Sequence, residues 1–164
     1  MISLKVVDIK KFTKNIFVDS VFDNFVTSSV EVVSFNKFTI DGKINRKWYT
    51  KEENELIIDE YTKWEELKKY VYDIIKGNRV PISFKIVLLL SNESMQKTIA
   101  KYQYQLTEKD IEGLFINIIY QNNQINIVTG ISYKSFIMDK TMDTEWDNVV
   151  KLFLKKNEIE FEEA

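Results

Sequence analysis

The run Ile2-Ser3-Leu4-Lys5-Val6-Val7 returns late in the chain as Ile82-Ser83-Phe84-Lys85-Ile86-Val87. The segments after each copy also repeat. A short helical pattern carrying lysines comes first, then two alternating segments with a glycine late in them, Gly42 and Gly130. Next comes a helix that opens Thr62-Lys63-Trp64-Glu65 in one half and Thr144-Glu145-Trp146-Asp147 in the other. The order β-α-β-β-α therefore reads twice, over about 1–76 and 82–157, with an acidic tail at 158–164. One such unit cannot cover its own hydrophobic face, so two are expected to share a core. The pattern predicts one α+β domain over 1–164, with mostly antiparallel sheet, an internal pseudo-duplication and a C-terminal helix. With 1 proline and 4 glycines among 164 residues, little of the chain suits long irregular loops.

Local signals place the elements. Ile2–Val7 alternates and is β-branched, as a strand does. Asp8 can cap a helix over 9–17 that turns Ile9, Phe12 and Ile16 inward and Lys10, Lys11 and Lys14 outward. Val30–Phe35 and Phe38–Ile44 read as strands joined at Asn36-Lys37, with Asp41-Gly42 as a turn or bulge. Thr50 followed by Glu53 is a capping box. It opens a helical stretch to Lys76, interrupted near Tyr61-Thr62, whose buried stripe is Trp64, Leu67, Val71, Ile74 and Ile75. Ile82–Leu90 suits a central strand. Ser91 or Asn92 caps a helix to about Tyr102, and Thr107 with Asp110 caps a short turn. Leu114–Tyr120 and Gln124–Ser132 form a hairpin around Asn122-Asn123, which tolerate left-handed geometry. Ser135–Met138 extends the sheet. The last helix runs from Asp143, its cap, to Lys156, and the tail beyond it is expected to fray.

Histidine and cysteine are absent from the sequence. Every site built on imidazole or thiolate is thereby excluded, including Ser-His-Asp triads, cysteine nucleophiles, His/Cys zinc and disulfides. No phosphate-binding loop, dinucleotide fingerprint or nucleophile elbow is present. No cofactor and no metal is expected. The longest apolar run, Ile86–Leu90, is far short of the ~20 residues a membrane span needs. Charge interrupts the first residues before a signal-peptide core can form. A cytoplasmic location is expected. The net charge of −2 exerts no global pull on polyanions.

Three groups of residues carry the functional candidates. Lys10, Lys11 and Lys14, with Lys97 and Lys101 on the repeat helix, are lysines on helix faces. Brought to one surface by pseudo-symmetry, they would hold a phosphate backbone without reading sequence. A solvated face is the commoner meaning of such lysines. Arg46, Lys47 and Trp48 form an Arg/Lys/aromatic cluster of the kind found at interface hot spots and stacking sites, or at a half-buried edge. Tyr102-Gln103-Tyr104-Gln105 is a second aromatic run outside the apolar faces. Asp41, Asp139 and Asp143, with Asp59 or Glu60, are the available acid–base or Mg²⁺ groups, although turn and capping roles explain Asp41 and Asp143. The tail alternates Ile159 and Phe161 with glutamates and has the pattern of a strand that joins a partner's sheet.

Phe35-Asn36-Lys37-Phe38-Thr39-Ile40-Asp41-Gly42, the strand Ile82–Val87, Gly113-Leu114-Phe115-Ile116-Asn117-Ile118 and Thr129–Ser132 through Lys134, Phe136, Asp139 and Lys140 resemble a family of small clostridial proteins of unknown function. That resemblance implies a cytoplasmic bacterial protein and no particular activity. In topology, the strand, lysine-bearing helix and returning hairpin, used twice, are similar to half-domains of DNA sliding clamps; the helix over 51–76 and the last helix depart from that pattern. The leading expectation is a non-catalytic binding protein that engages a protein or nucleic acid, with self-association as a clamp-like module. The alternatives are a carboxylate-based, Mg²⁺-dependent enzyme acting on a small or phosphorylated substrate, and a structural partner subunit.

Overall fold

A computed structural model describes residues 1–101 and 110–164. Among them, one eight-stranded sheet carries helices on one face. In chain order the elements are β1 (Ser3–Val6), α1 (Ile9–Phe17), β2 (Val26–Val33), β3 (Lys37–Asp41), a 3-10 turn (Arg46–Trp48) and α2 (Lys51–Leu56). Then come β4 (Thr62–Lys63), α3 (Trp64–Ile75), β5 (Ser83–Leu89), α4 (Asn92–Lys101), β6 (Ile111–Gln121), β7 (Gln124–Tyr133), α5 (Thr141–Lys156) and β8 (Phe161–Glu163). The strands lie in the order β3-β2-β5-β6-β7-β1-β8, with β4 beside β2, and every pairing is antiparallel.

β5 occupies the centre because its alternate residues are apolar. Phe84, Ile86 and Leu88 are buried, and register places Val32 and Val30 beside the first two in β2 and Tyr120, Ile118 and Ile116 beside all three in β6. The row continues through Ile125 and Ile127 to Leu4 of β1. Phe12 and Ile16 of α1, Trp64 and Val71 of α3 and Trp146 and Val150 of α5 close over this face in one core cluster. Lys85, Asn117 and Asn126 point to the other face.

Capping follows the local chemistry. The Asp8 carboxylate accepts from the Lys11 N–H at 3.0 Å, and Thr50 and Glu53 complete the capping box. Asn122 and Asn123, at φ 52° and 58°, make the two-residue turn between β6 and β7. The helical stretch after Thr50 is two helices, interrupted between Ile57 and Tyr61.

Several expectations are corrected. The second half follows the order β-α-β-β-α, but in the first half α2 and β4 stand between β3 and α3, and strands matched by the sequence pattern lack equivalent neighbours. β5 lies between β2 and β6, whereas its counterpart β1 lies across the sheet between β7 and β8. The two tryptophan motifs also differ in use. The Trp64 indole N–H donates to the Ile16 carbonyl of a helix at 2.8 Å, and that of Trp146 to the Phe115 carbonyl of a strand at 2.9 Å. The four hairpin strands flank β5, which leaves no second central position for β1. Residues 135–138 form no strand. Asp143 does not cap α5. Lys140 precedes the helix and supplies no side-chain cap, while the Asp139 carboxylate accepts from the N–H of the first helical residue, Thr141, at 2.9 Å. The tail is not frayed. Ile159 is 4% exposed, β8 pairs with β1, and Lys151 meets Glu163 at 2.5 Å. Its alternation therefore completes the chain's own sheet. Thr107 and the Tyr102–Gln105 run lie outside the described residues.

Ile159→Ala is expected to destabilise the protein by about 2–5 kcal/mol, because it opens a cavity where the last strand docks. Urea unfolding followed by circular dichroism measures this, and a change below about 0.5 kcal/mol would mean that the tail does not dock.

Candidate interaction site

The chain leaves the sheet at Gly42. A Cβ there would stand 1.7 Å from the Thr27 carbonyl oxygen, so this exit requires glycine. The excursion closes on itself some residues later. Lys43 bridges Tyr61, the Ile44 N–H donates to the Glu60 carbonyl at 2.9 Å, and the Thr62 N–H donates to the Gly42 carbonyl at 2.8 Å. Between these ends polar bonds fix the path. The Asn45 side chain caps the 3-10 turn, accepting from the Lys47 N–H at 3.3 Å. The Asn54 amide donates to the Arg46 and Tyr49 carbonyls at 3.0 and 3.3 Å. The Arg46 guanidinium donates to the Ile57 carbonyl at 3.4 Å and to the Asn54 carbonyl at 3.5 Å.

Neither the 3-10 turn nor α2 buries a residue. Trp48, Leu56 and Ile58 remain 83%, 81% and 78% exposed. The excursion is thus a compact loop that closes on a rigid sheet and is ordered mainly by its own hydrogen bonds, a common setting for binding residues. Sequence reasoning finds Arg46 and Trp48 but misses Leu56 and Ile58. Their signal is the triplet Leu56-Ile57-Ile58, which no single helix stripe can bury.

Beside the loop lies a cleft of about 310 Å³, lined by Val26, Arg46, Ile58–Tyr61, Leu89, Asn92, Met95 and Glu112 among others. The Asp59 carboxylate accepts from the Asn92 N–H at 2.8 Å, tying the loop to the start of α4. Burial pushes the Tyr61 phenol upward, and Glu60, Glu112 and Asp41 add to the shift. A neutral phenol among carboxylates is a poor base at neutral pH.

The other expected residues do not form one cluster, although Asp41 and Lys97 border the loop. Lys10 and Lys14 are exposed on α1, while the Lys11 ammonium donates to the Glu158 carbonyl at 2.6 Å. Lys97 pairs with Glu93 at 3.0 Å, and Lys101 is exposed at the end of α4. Lys11 shares a cleft with Lys155, Glu158 and Glu160, whereas Lys97 shares a different one with Ile58 and Asp59 of the loop, Lys63 and Glu93. The carboxylates are likewise spread out. Asp41 accepts from the Lys43 N–H at 2.9 Å on edge strand β3, and Asp143 accepts from the Tyr133 hydroxyl at 2.7 Å beside β7. Hydrogen bonds from Thr141 hold the Asp139 carboxyl below its ordinary range. Among the described residues, no three Asp or Glu side chains are grouped so as to hold a metal ion. The candidate acid groups of the enzyme alternative therefore do not converge.

Fold and site together define an α+β protein with one helix-covered antiparallel sheet and an exposed aromatic loop. The chain belongs to the family of unknown function DUF5721, whose model matches residues 15–162. No curated protein and no solved structure matches it. The matched range includes the loop, β2 to β7 and the first two residues of β8. Among the described residues, no helix is long and apolar enough to cross a membrane.

Two outcomes are expected. Arg46→Ala is predicted to speed amide exchange about tenfold across residues 44–60 and to leave β5 unchanged, since only the loop loses its clasp. Equal exchange in both variants would contradict that role. Burial, followed by the bond to Asp143, raises the Tyr133 phenol well above its ordinary value. The unfolded chain therefore loses this proton first as pH rises past the ordinary tyrosine range, and the Tyr133 contribution to stability falls there. Urea midpoints of wild type and Tyr133→Phe measured up to pH 11 test this: the wild type should lose more.

Proposed function

We propose that this protein is a non-catalytic binding module of the cytoplasm whose partner is another protein, docked on Trp48, Leu56 and Ile58. One observation carries the reading: three large apolar side chains are about four-fifths exposed on a loop whose turn and helix bury none of their own residues. Large apolar side chains left exposed on an ordered loop supply the material of association surfaces, and Trp and Arg are enriched among residues that dominate binding energy. Internal bonds order the loop before any partner arrives, which lowers the entropic cost of docking.

A polyanion partner on the lysine helices has less behind it. Lys11 and Lys97 already meet oxygens, and glutamates share their clefts.

A photo-crosslinking residue at position 56, introduced in cells that make the protein, is expected to give one discrete protein adduct that Trp48→Ala abolishes. An adduct that survives Trp48→Ala, or one with nucleic acid, would overturn the reading. So would salt-sensitive retention on heparin that is lost when Lys10, Lys11 and Lys14 are all changed to Glu.

A further inference from the structure

The two edges of the sheet are not alike. β8 is three residues long and carries Glu162 and Glu163, so a second β8 laid against it would oppose glutamate to glutamate. β3 is five residues long, Lys37-Phe38-Thr39-Ile40-Asp41, and has no proline. No strand among the described residues pairs with its outer side.

The register fixes which backbone groups face outward. At one end of the β2–β3 ladder the Gly42 N–H donates to the Ser28 carbonyl, and at the other the Ser34 N–H donates to the Asn36 carbonyl, both at 2.9 Å. Alternation between these ends turns the N–H and C=O of Phe38 and Ile40 toward β2. Those of Lys37, Thr39 and Asp41 therefore point away from the sheet.

We infer that a second copy of this chain docks antiparallel on β3, centred on Thr39, and joins two sheets across a twofold axis. In that register Lys37 lies opposite Asp41 of the other copy, Phe38 opposite Ile40, and Thr39 opposite Thr39. Each outward-facing residue then meets an outward-facing residue, as an antiparallel ladder requires. Opposite charges meet at both ends, and the apolar pairs fall on the helix-covered face. Sliding the pairing by two residues keeps the backbone bonds but sets Lys37 or Asp41 against Thr39, so charge complementarity selects the centred register. A twofold contact of this kind closes after two chains. In the single chain, Lys37 reaches Glu31 at 3.4 Å with both side chains about half exposed, a contact that is easily exchanged.

Sedimentation equilibrium over a concentration series tests the inference. Wild type is expected to shift from the 19.5 kDa chain mass toward twice that mass as concentration rises. Lys37→Asp and Asp41→Lys each place like charges opposite one another and should weaken association about tenfold. The double exchange Lys37→Asp/Asp41→Lys restores opposite pairs and should recover it. Thr39→Pro should abolish association in a folded chain, because the N–H it removes faces away from β2. Lys37→Asp alone carries the charge test if Asp41→Lys, which loses the bond to Lys43, unfolds. A wild type at the chain mass up to millimolar concentration would overturn the inference. A dimer indifferent to Lys37→Asp and Thr39→Pro would do the same.

Discussion

Burial of one face of β5 is the constraint on which the rest of the structure depends. Phe84, Ile86 and Leu88 all turn to that face, and none could be solvated without losing roughly 1.5–3 kcal/mol of transfer free energy. Both hairpins pair with this strand, one on each side, and together they present a continuous apolar surface. Helices α1, α3 and α5 close over it, and Met95 and Ile99 of α4 join the same core. The two tryptophans occupy the largest volumes in the resulting core, and each satisfies its indole N–H on a backbone carbonyl. Burying so large a ring with an unpaired donor would be costly, so these bonds also fix where α3 and α5 lie.

That closed core explains why residues 44–60 can stand outside it. The interior is complete without them, and the sheet holds both ends of the loop through the Lys43–Tyr61 bridge. Arg46 and Asn54 spend their polar groups on nearby carbonyls, so the loop keeps its shape with little hydrophobic burial. An arrangement of this kind separates stability from recognition. The scaffold carries the first, and the exposed Trp48, Leu56 and Ile58 carry no part of it.

Local chemistry was legible in the sequence wherever a few neighbouring residues decide the outcome. Asp8 capping α1, the Thr50/Glu53 box and the Asn122-Asn123 turn are examples. The apolar run at Ile82–Leu90 likewise identified the central strand. Strand order was not legible, because β1 beside β7 is a pairing between distant segments that similar residues in β5 would also support. The repeat pattern therefore misled about strand neighbours, and it did not foresee α2 and β4 between β3 and α3. Asp143 reads as a cap in the sequence, but it lies inside the first turn of α5, where its carboxylate takes the Tyr133 hydroxyl instead. Ile159 and Phe161 revealed a strand pattern but not which sheet receives it. At the candidate site Arg46 and Trp48 stand out by residue type, whereas Leu56 and Ile58 are marked only by the apolar triplet at the point where α2 ends.

The separation of core from loop is tested most directly by urea unfolding of the triple variant Trp48→Ser/Leu56→Ser/Ile58→Ser. If these side chains are a recognition surface, the free energy of unfolding stays within about 0.5 kcal/mol of wild type. A loss of about 3 kcal/mol or more would place them in the core and contradict the account.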